Sequence, residues 1–210
     1  MLEGVKNIVW LNNTTKQGEW NRRRTWNLQG KTLGIIGMGT IGTNVAKIMK
    51  NGFGMDIIYT SNTPKVEIDN ELGTRQVALE ELLEHSDIIS IHASFNDSTN
   101  NLITKKELSL LKKHCILINV SRAKIINGID LKDALEEGKL AKAIFDGYYT
   151  EPISQKEKDE IGLLTLADDK FVITPHTAYN TKEAFDNMNK MVIENLISYV
   201  KGEEMPYKVN

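Results

Sequence analysis

One cysteine, four prolines and a net charge of −2 are the scarcities of this 210-residue chain. A single thiol, Cys115, excludes an intrachain disulfide and a thiolate zinc site, and fits a reducing compartment. Near-neutral charge without a basic block gives no field for nucleic acid or for an anionic membrane surface. No apolar run reaches membrane-spanning length, and the first residues lack the apolar core of a signal peptide. The expectation is a cytoplasmic protein with no membrane and no nucleic acid among its partners. Four prolines and no Gly/Ser-rich tract also argue against an internal linker. A chain of this length can bury a sizeable core.

The stretch Thr32–Met49 is present and informative. An apolar run, Leu33, Ile35 and Ile36, stops at Gly37 and turns through Gly39 and Gly42. It continues with Ile41, Val45, Ile48 and Met49 at helical spacing. This is the strand, loop and helix of a dinucleotide-binding unit. Gly37 serves the tight turn, Gly39 the approach of a pyrophosphate, and Gly42 close helix–strand packing. The helix N-terminus, with Thr40 and Ile41, offers N–H groups and a positive dipole end to phosphates. A strand–helix turn with no ligand is the plainer alternative. The flanking strand and helix patterns favour the binding unit.

Strand-like runs recur at Leu33–Gly37, Met55–Thr60, Ile88–His92, Cys115–Val120, Ala141–Phe145 and Phe171–Thr174. Helical stretches fall at 40–51, 79–85, 104–112, 128–137 and 157–166. This alternation predicts an α/β, Rossmann-like, doubly wound parallel sheet of six to seven strands with helices on both faces. Residues 1–30 read as an N-terminal helix (2–11), a polar breaker (Asn12–Gly18) and an arm, 31–180 as the dinucleotide-binding domain, and 181–210 as a last helix and tail. In that helix Phe185, Met188, Met191, Val192, Leu196, Tyr199 and Val200 lie along one side, a pattern more often core than cofactor site. The arm Trp20–Trp26 carries Arg22, Arg23 and Arg24. An isolated short basic run is read as packing on the fold or on a second subunit, not as a nucleic-acid patch.

Ligands of such sheets bind at the carboxyl ends of the strands. Beyond Met55–Thr60 stand Thr60, Ser61 and Asn62, where a ribose-binding carboxylate is usual; Asp56 lies at the wrong end. NADP is therefore as plausible as NAD, with Ser61, Asn62 and Lys65 placed to meet a 2′-phosphate. Beyond the next strands come His92 and Ala93, then Val120, Ser121 and Arg122, then Asp146 and Glu151, and finally His176 and Ala178. His92 is read as a cofactor contact or, equally, as a structural histidine. Arg122 ends an apolar strand, where a guanidinium is expensive to leave without a partner, and its planar fork suits a carboxylate or a carbonyl oxygen.

Taken together, these motifs resemble the nucleotide-binding domain of the D-isomer-specific 2-hydroxyacid dehydrogenases, from about Trp20 to the C-terminus. The glycine loop Gly37–Gly42, Asn119–Ala123, Asp146–Pro152 and Thr174–His176 follow that family's order. The resemblance implies that Arg122 binds the substrate carboxylate and polarises its 2-keto oxygen. It implies that His176 is the general acid and base, and that Glu151 orients His176 and raises its pKa. Asp146 would hold the nicotinamide carboxamide. The implied cofactor set is Gly37, Gly39, Thr40, Ile41, Gly42, Thr60, Ser61, His92, Ala93, Thr99, Val120, Ser121, Arg122, Asp146, His176 and Ala178, with NAD or NADP as cofactor and no metal. Ala123, Ser94 and Thr60 depart from the family's glycine, proline and acid. Family enzymes place roughly a hundred residues before this point, part of a separate substrate domain. The implied function is hydride transfer between nicotinamide and a 2-keto or 2-hydroxy acid, with weak or absent turnover by this chain alone. The rival is a non-catalytic NAD(P)-binding sensor or interaction module. Partners implied are a homodimer mate, involving the tryptophan arm, or a separately encoded substrate half packing on the stripes of the first and last helices.

Overall fold

The computed structural model describes residues 1–153 and 159–208. The chain divides into two compact units, Met1–Pro175 and His176–Asn210, and each is described by itself.

The first unit is built on seven strands: β1 (Thr32–Ile36), β2 (Asp56–Thr60), β3 (Arg75–Gln76), β4 (Ile88–Ile91), β5 (Ile116–Asn119), β6 (Lys142–Asp146) and β7 (Phe171–Thr174). All pairs are parallel, in the order β3-β2-β1-β4-β5-β6-β7. The order reverses between β1 and β4, and that switch point opens a crevice beyond the strand ends. The doubly wound sheet expected from the alternation is the sheet observed.

Successive side chains of a strand face opposite ways, which divides the core in two. Leu33, Ile35, Ile57, Tyr59, Ile88, Ile116 and Ile118 pack on one face, with Ala46 of helix α3 (Thr40–Phe53) and Leu72 of α4 (Val66–Leu72). Ile36, Ile58, Ile89, Ile91, Leu117, Ala143 and Phe145 fill the other. There they meet Leu82 and Leu83 of α5 (Leu79–His85), Leu108 of α6 (Lys105–Leu108), and Leu131 and Leu135 of α7 (Gly128–Glu136). Near-continuous apolar strands are what two covered faces require.

Two of the buried ionic groups, Lys142 and Asp87, stand at the amino ends of the strands; a third, Asp146, closes the carboxyl end of β6. Lys142, at the start of β6, has a side chain only 2% exposed. Its Nζ donates to Glu3 Oε1 at 2.6 Å and to Asn7 Oδ1 at 3.2 Å. That anchor explains a difference from the sequence reading. The expected single helix over 2–11 is two helices, α1 (Leu2–Lys6) and α2 (Ile8–Lys16), broken at Asn7, whose φ is 52°. Asn tolerates the left-handed region, and its amide serves the buried ammonium. Helix α2 also runs through most of the expected polar breaker. Asn13 is tied to Asp168 and Thr14 to Trp10 O, so neither side chain offers the chain an alternative to helix.

Asp87 is the second anchor. Lys112 Nζ and His114 Nε2 meet its Oδ1 at 3.0 and 2.9 Å, and the Thr32 N–H donates to Oδ2. Burial pushes this carboxyl up, but the bonds from His114, Thr32 and Lys112 outweigh it and hold the pKa at about 2.

Other boundaries moved for local reasons. The helix expected over 104–112 stops at Leu108. Thr104 and Glu107 form a capping box at its start, and i→i−3 bonds at Ser109–Leu111 tighten the chain toward β5. Strand β3 and helix α4 were not expected, because a two-residue edge strand carries no apolar run. Of the helix expected over 157–166, residues 157 and 158 lie outside the described residues, and part of the remainder forms a 3₁₀ turn, Leu163–Thr165. On α3, Ile41 and Ile48 point outward at 65% and 56% exposure; Gly42 and Ala46 make the buried stripe instead. The arm is mixed. Arg23 pairs with Asp169 and lies over the Trp10 ring, and Trp26 stacks edge-on to His114, while Trp20 is exposed.

In the second unit, helix α8 (Lys182–Lys201) is capped by Thr181, whose Oγ1 accepts from the Ala184 N–H, and ends at Gly202. Asn195 ties the tail back by two hydrogen bonds to the Tyr207 backbone. The stripe expected to be core is exposed along its length, from Phe185 to Val200. Within its own unit the stripe meets a ring contact at one end, Phe185 with Tyr179, 6.2 Å between centroids. Among the described residues no helix is long and apolar enough to cross a membrane.

Candidate active site

Strand β1 ends in a run that only glycine permits at two places. Gly37 has φ +99°, and a Cβ there would lie 2.6 Å from the Ala93 amide nitrogen. Its own N–H donates to Thr60 O, locking the turn to the end of β2. At Gly42 a Cβ would meet Gly37 O at 2.3 Å, so helix α3 can start this close to the loop only without a side chain. At Gly39, by contrast, a Cβ would meet nothing. The space above Gly39, at the N-terminus of a 14-residue helix, is where a pyrophosphate fits.

A crevice of about 400 Å³ opens there. Gly37 and Gly39 form one wall, Thr60, Ser61 and Asn62 the end beyond β2, and His92, Ala93, Ser94 and Thr99 the side beyond β4. Asn96 and Ser98, which motif reading did not single out, complete it. They were legible only as turn residues: Asn96 caps the loop by accepting from Ser98, and Thr99 Oγ1 donates to Ser94 O. His92 lines the crevice, and its Nε2 lies 2.9 Å from the buried Ser90 Oγ. Burial pushes its pKa down to about 4, so the imidazole is neutral at neutral pH.

A second, smaller cavity of about 250 Å³ lies beyond β5 and β6. Phe95, Ser121, Arg122, Tyr148, Tyr149 and Glu151 are among its walls. Asn119 shapes this turn: its Oδ1 accepts from the Ser121 N–H and its Nδ2 donates to Arg122 O. Glu151 Oε1 accepts from the Tyr148 N–H at 2.7 Å. Tyr149 is fixed by its hydroxyl on Ile126 O, and Tyr148 by its hydroxyl on Asp159. A hydrogen bond links the linings of the two cavities: Ser121 Oγ of the second donates to Ala93 O of the first.

One expectation for Arg122 changes. It is exposed; among the described residues its side chain makes one hydrogen bond, from Nη1 to Ser121 O at 3.2 Å, and no ion pair. An exposed guanidinium incurs no burial penalty, so it can wait for an anion. Ala123, which stands where the family has glycine, needs no glycine here. It opens a 3₁₀ turn, Ala123–Ile125, outside the left-handed region, and its methyl is buried.

Asp146 is buried at the end of β6 and accepts from Thr174 Oγ1 at 2.5 Å. Thr40, Ile41 and Gly42 lie in the first turn of α3, and Val120 is exposed just past β5. His176 opens the second unit. Its φ is 55°, and its ring stands edge-on to Tyr179, 6.0 Å between centroids. Thr177 and Ala178 come after it in the same unit.

The model of the D-isomer specific 2-hydroxyacid dehydrogenase NAD binding domain matches residues 1–178. The chain belongs to this family. The match begins well before Trp20, so both N-terminal helices fall inside it. Among curated relatives, the glyoxylate reductase of Aeropyrum pernix is 41% identical over the whole of this chain and 63% of its own length. That of Thermococcus litoralis is 38% identical over the whole chain and 64% of its length. The crystal structure of D-lactate dehydrogenase with NAD+ from Lactobacillus jensenii superposes with a TM-score of 0.87 at 25% identity. That superposition covers all of this chain and 65% of the other. The 2-hydroxyacid dehydrogenase domain described here thus spans about 63% of the length of its curated relatives.

Proposed function

We propose that this chain is the nucleotide-binding part of an NAD(P)-dependent dehydrogenase that interconverts a 2-keto acid and a 2-hydroxy acid. Glyoxylate is the substrate to test first, because the relatives at 41% and 38% identity are glyoxylate reductases. The observation that carries the reading is the Ser121 Oγ to Ala93 O bond that sets the two cavities side by side. A crevice shaped for a dinucleotide stands one hydrogen bond away from a cavity presenting Arg122 and Glu151.

The cofactor would supply or accept the hydride. The rest falls to the chain. Gly37, Gly39 and the start of α3 seat the pyrophosphate, with Thr60, Ser61, His92, Ala93 and Thr99 along the nucleotide. Val120, Ser121 and Asp146 belong to the nicotinamide end. Arg122 takes the substrate carboxylate on its exposed fork and draws charge toward the 2-keto oxygen. His176 delivers the proton to that oxygen during reduction and removes it in reverse. Glu151 is assigned the orienting of His176. A protein that only senses a dinucleotide has no use for such an acid–base set, which argues against the non-catalytic alternative.

The test is to mix the chain with glyoxylate and NADH, then NADPH, and follow the loss of reduced-nicotinamide absorbance. Loss that disappears in Arg122→Gln and His176→Asn supports the reading. Cofactor binding with no turnover, in this chain and in a full-length protein containing it, overturns it. The exposed Leu2 and Ile8 and the apolar face of α8 further support association, either as a homodimer or with a substrate half encoded elsewhere. Sedimentation at the monomer mass at micromolar concentration counts against the homodimer.

A further inference from the structure

Among the described residues, the wall of the dinucleotide crevice holds no formally charged side chain. Beyond β2 it presents two hydroxyls and an amide, from Thr60, Ser61 and Asn62; the rest is glycine, aliphatic, neutral polar or the neutral His92. The charged residues nearest in sequence do not line the crevice. Asp56 sits at the opposite end of β2, paired with Lys50, about 13 Å away by strand rise. Asp69 is held by the Tyr59 hydroxyl and by Thr74 Oγ1, and Arg75 pairs with Glu81. Lys65 opens α4 with its N–H on the Tyr59 hydroxyl and is no part of the wall. Gln76, whose Nε2 donates to Ser61 O at 2.6 Å, pins this segment in place.

Discrimination at the ribose 2′ position is electrostatic in most such folds. A carboxylate accepts from a 2′-hydroxyl and repels a 2′-phosphate, and an arginine does the reverse. Neither device stands at the end of β2 here. We propose that this chain takes nicotinamide dinucleotides with and without the 2′-phosphate nearly equally, with Thr60, Ser61 and Asn62 supplying neutral hydrogen bonds to either group. This rests on the crevice being the dinucleotide site proposed above. The neutral wall also makes Thr60 and Ser61 the positions where selectivity can be installed in either direction.

The experiment is a fluorescence titration of the chain with NADH and with NADPH at neutral pH and fixed salt. The expected dissociation constants agree within about tenfold, because no charged side chain of the wall favours or repels the 2′-phosphate. A preference beyond about tenfold in either direction, with the other cofactor still saturating, overturns the inference and leaves the dinucleotide site intact. Saturation by neither cofactor overturns the site itself, and the inference with it. Two variants sharpen the result. Thr60→Asp is expected to shift the ratio toward NADH by about tenfold or more, and Ser61→Arg toward NADPH by a similar factor. Circular dichroism verifies that each is folded. A folded pair that leaves the ratio where it was overturns the assignment of these residues to the 2′ position.

Discussion

The two ends of the sheet in the first unit use charge in opposite ways. At the amino ends each ionic centre is closed on itself: Lys142 on Glu3 and Asn7, Asp87 on Lys112, His114 and the Thr32 N–H. At the carboxyl ends Arg122 is exposed with a single bond to a neighbouring carbonyl, and the nucleotide crevice beside it is walled by neutral groups. Both ends belong to the same strands, so the difference does not come from strand propensity. It comes from what each end must do. A closed ionic centre anchors the N-terminal helices and fixes strand starts. An open one keeps binding capacity for something else.

The largest expected effect tests the closed end. Glu3→Ala leaves the Lys142 ammonium, 2% exposed, without its carboxylate, and should lower unfolding stability by about 3–5 kcal/mol. Denaturant melts read this; a loss under about 1 kcal/mol would mean that the Lys142 centre is not holding the N-terminus. The next tests the open end. Arg122→Gln should leave stability within about 0.5 kcal/mol, as for other exposed sites, yet reduce glyoxylate turnover by about a hundredfold or more. Equal damage to folding and turnover would erase the distinction between the two ends.

A smaller effect concerns pH. Asp87 is held at about 2, below its ordinary value, so the stability it contributes is fully present above about pH 4. It is lost as pH falls from about 4 through about 2, because the unfolded carboxylate takes up a proton first. Asp87→Asn should remove about 1–2 kcal/mol at neutral pH and flatten that acid limb, as measured by melts across the window. The smallest concerns Trp20, exposed on the arm. Trp20→Ser should change monomer stability by less than about 0.5 kcal/mol; a larger change, and one that grows with protein concentration, would place Trp20 in an interface.

Much of this was legible in residue order. The apolar runs located six strands, and β7 was read to the residue, as was helix α5. Their alternation with helices named the fold class, and four motifs in order named the family. What escaped was set by contacts distant in sequence. Asn7 breaks a helix because Lys142, from the far part of the chain, needs its amide. Strand β3 is two residues long and survives on pairing with β2 alone. Ile41 and Ile48 share the helical spacing of core residues, yet glycine and alanine occupy the buried side of α3, where the sheet comes closest. Arg122 was expected to be expensive without a partner; its exposure removes that expense, and periodicity cannot report exposure.

Local order along the chain therefore determined the strand and helix succession, the glycine turn and the residues available for chemistry, because hydrophobic period and backbone freedom are properties of neighbours. Only the tertiary structure decided which charges are spent on the scaffold and which stay open. Burial and pairing are set by residues brought together from distant parts of the chain, and a side chain's electrostatic role depends on that company.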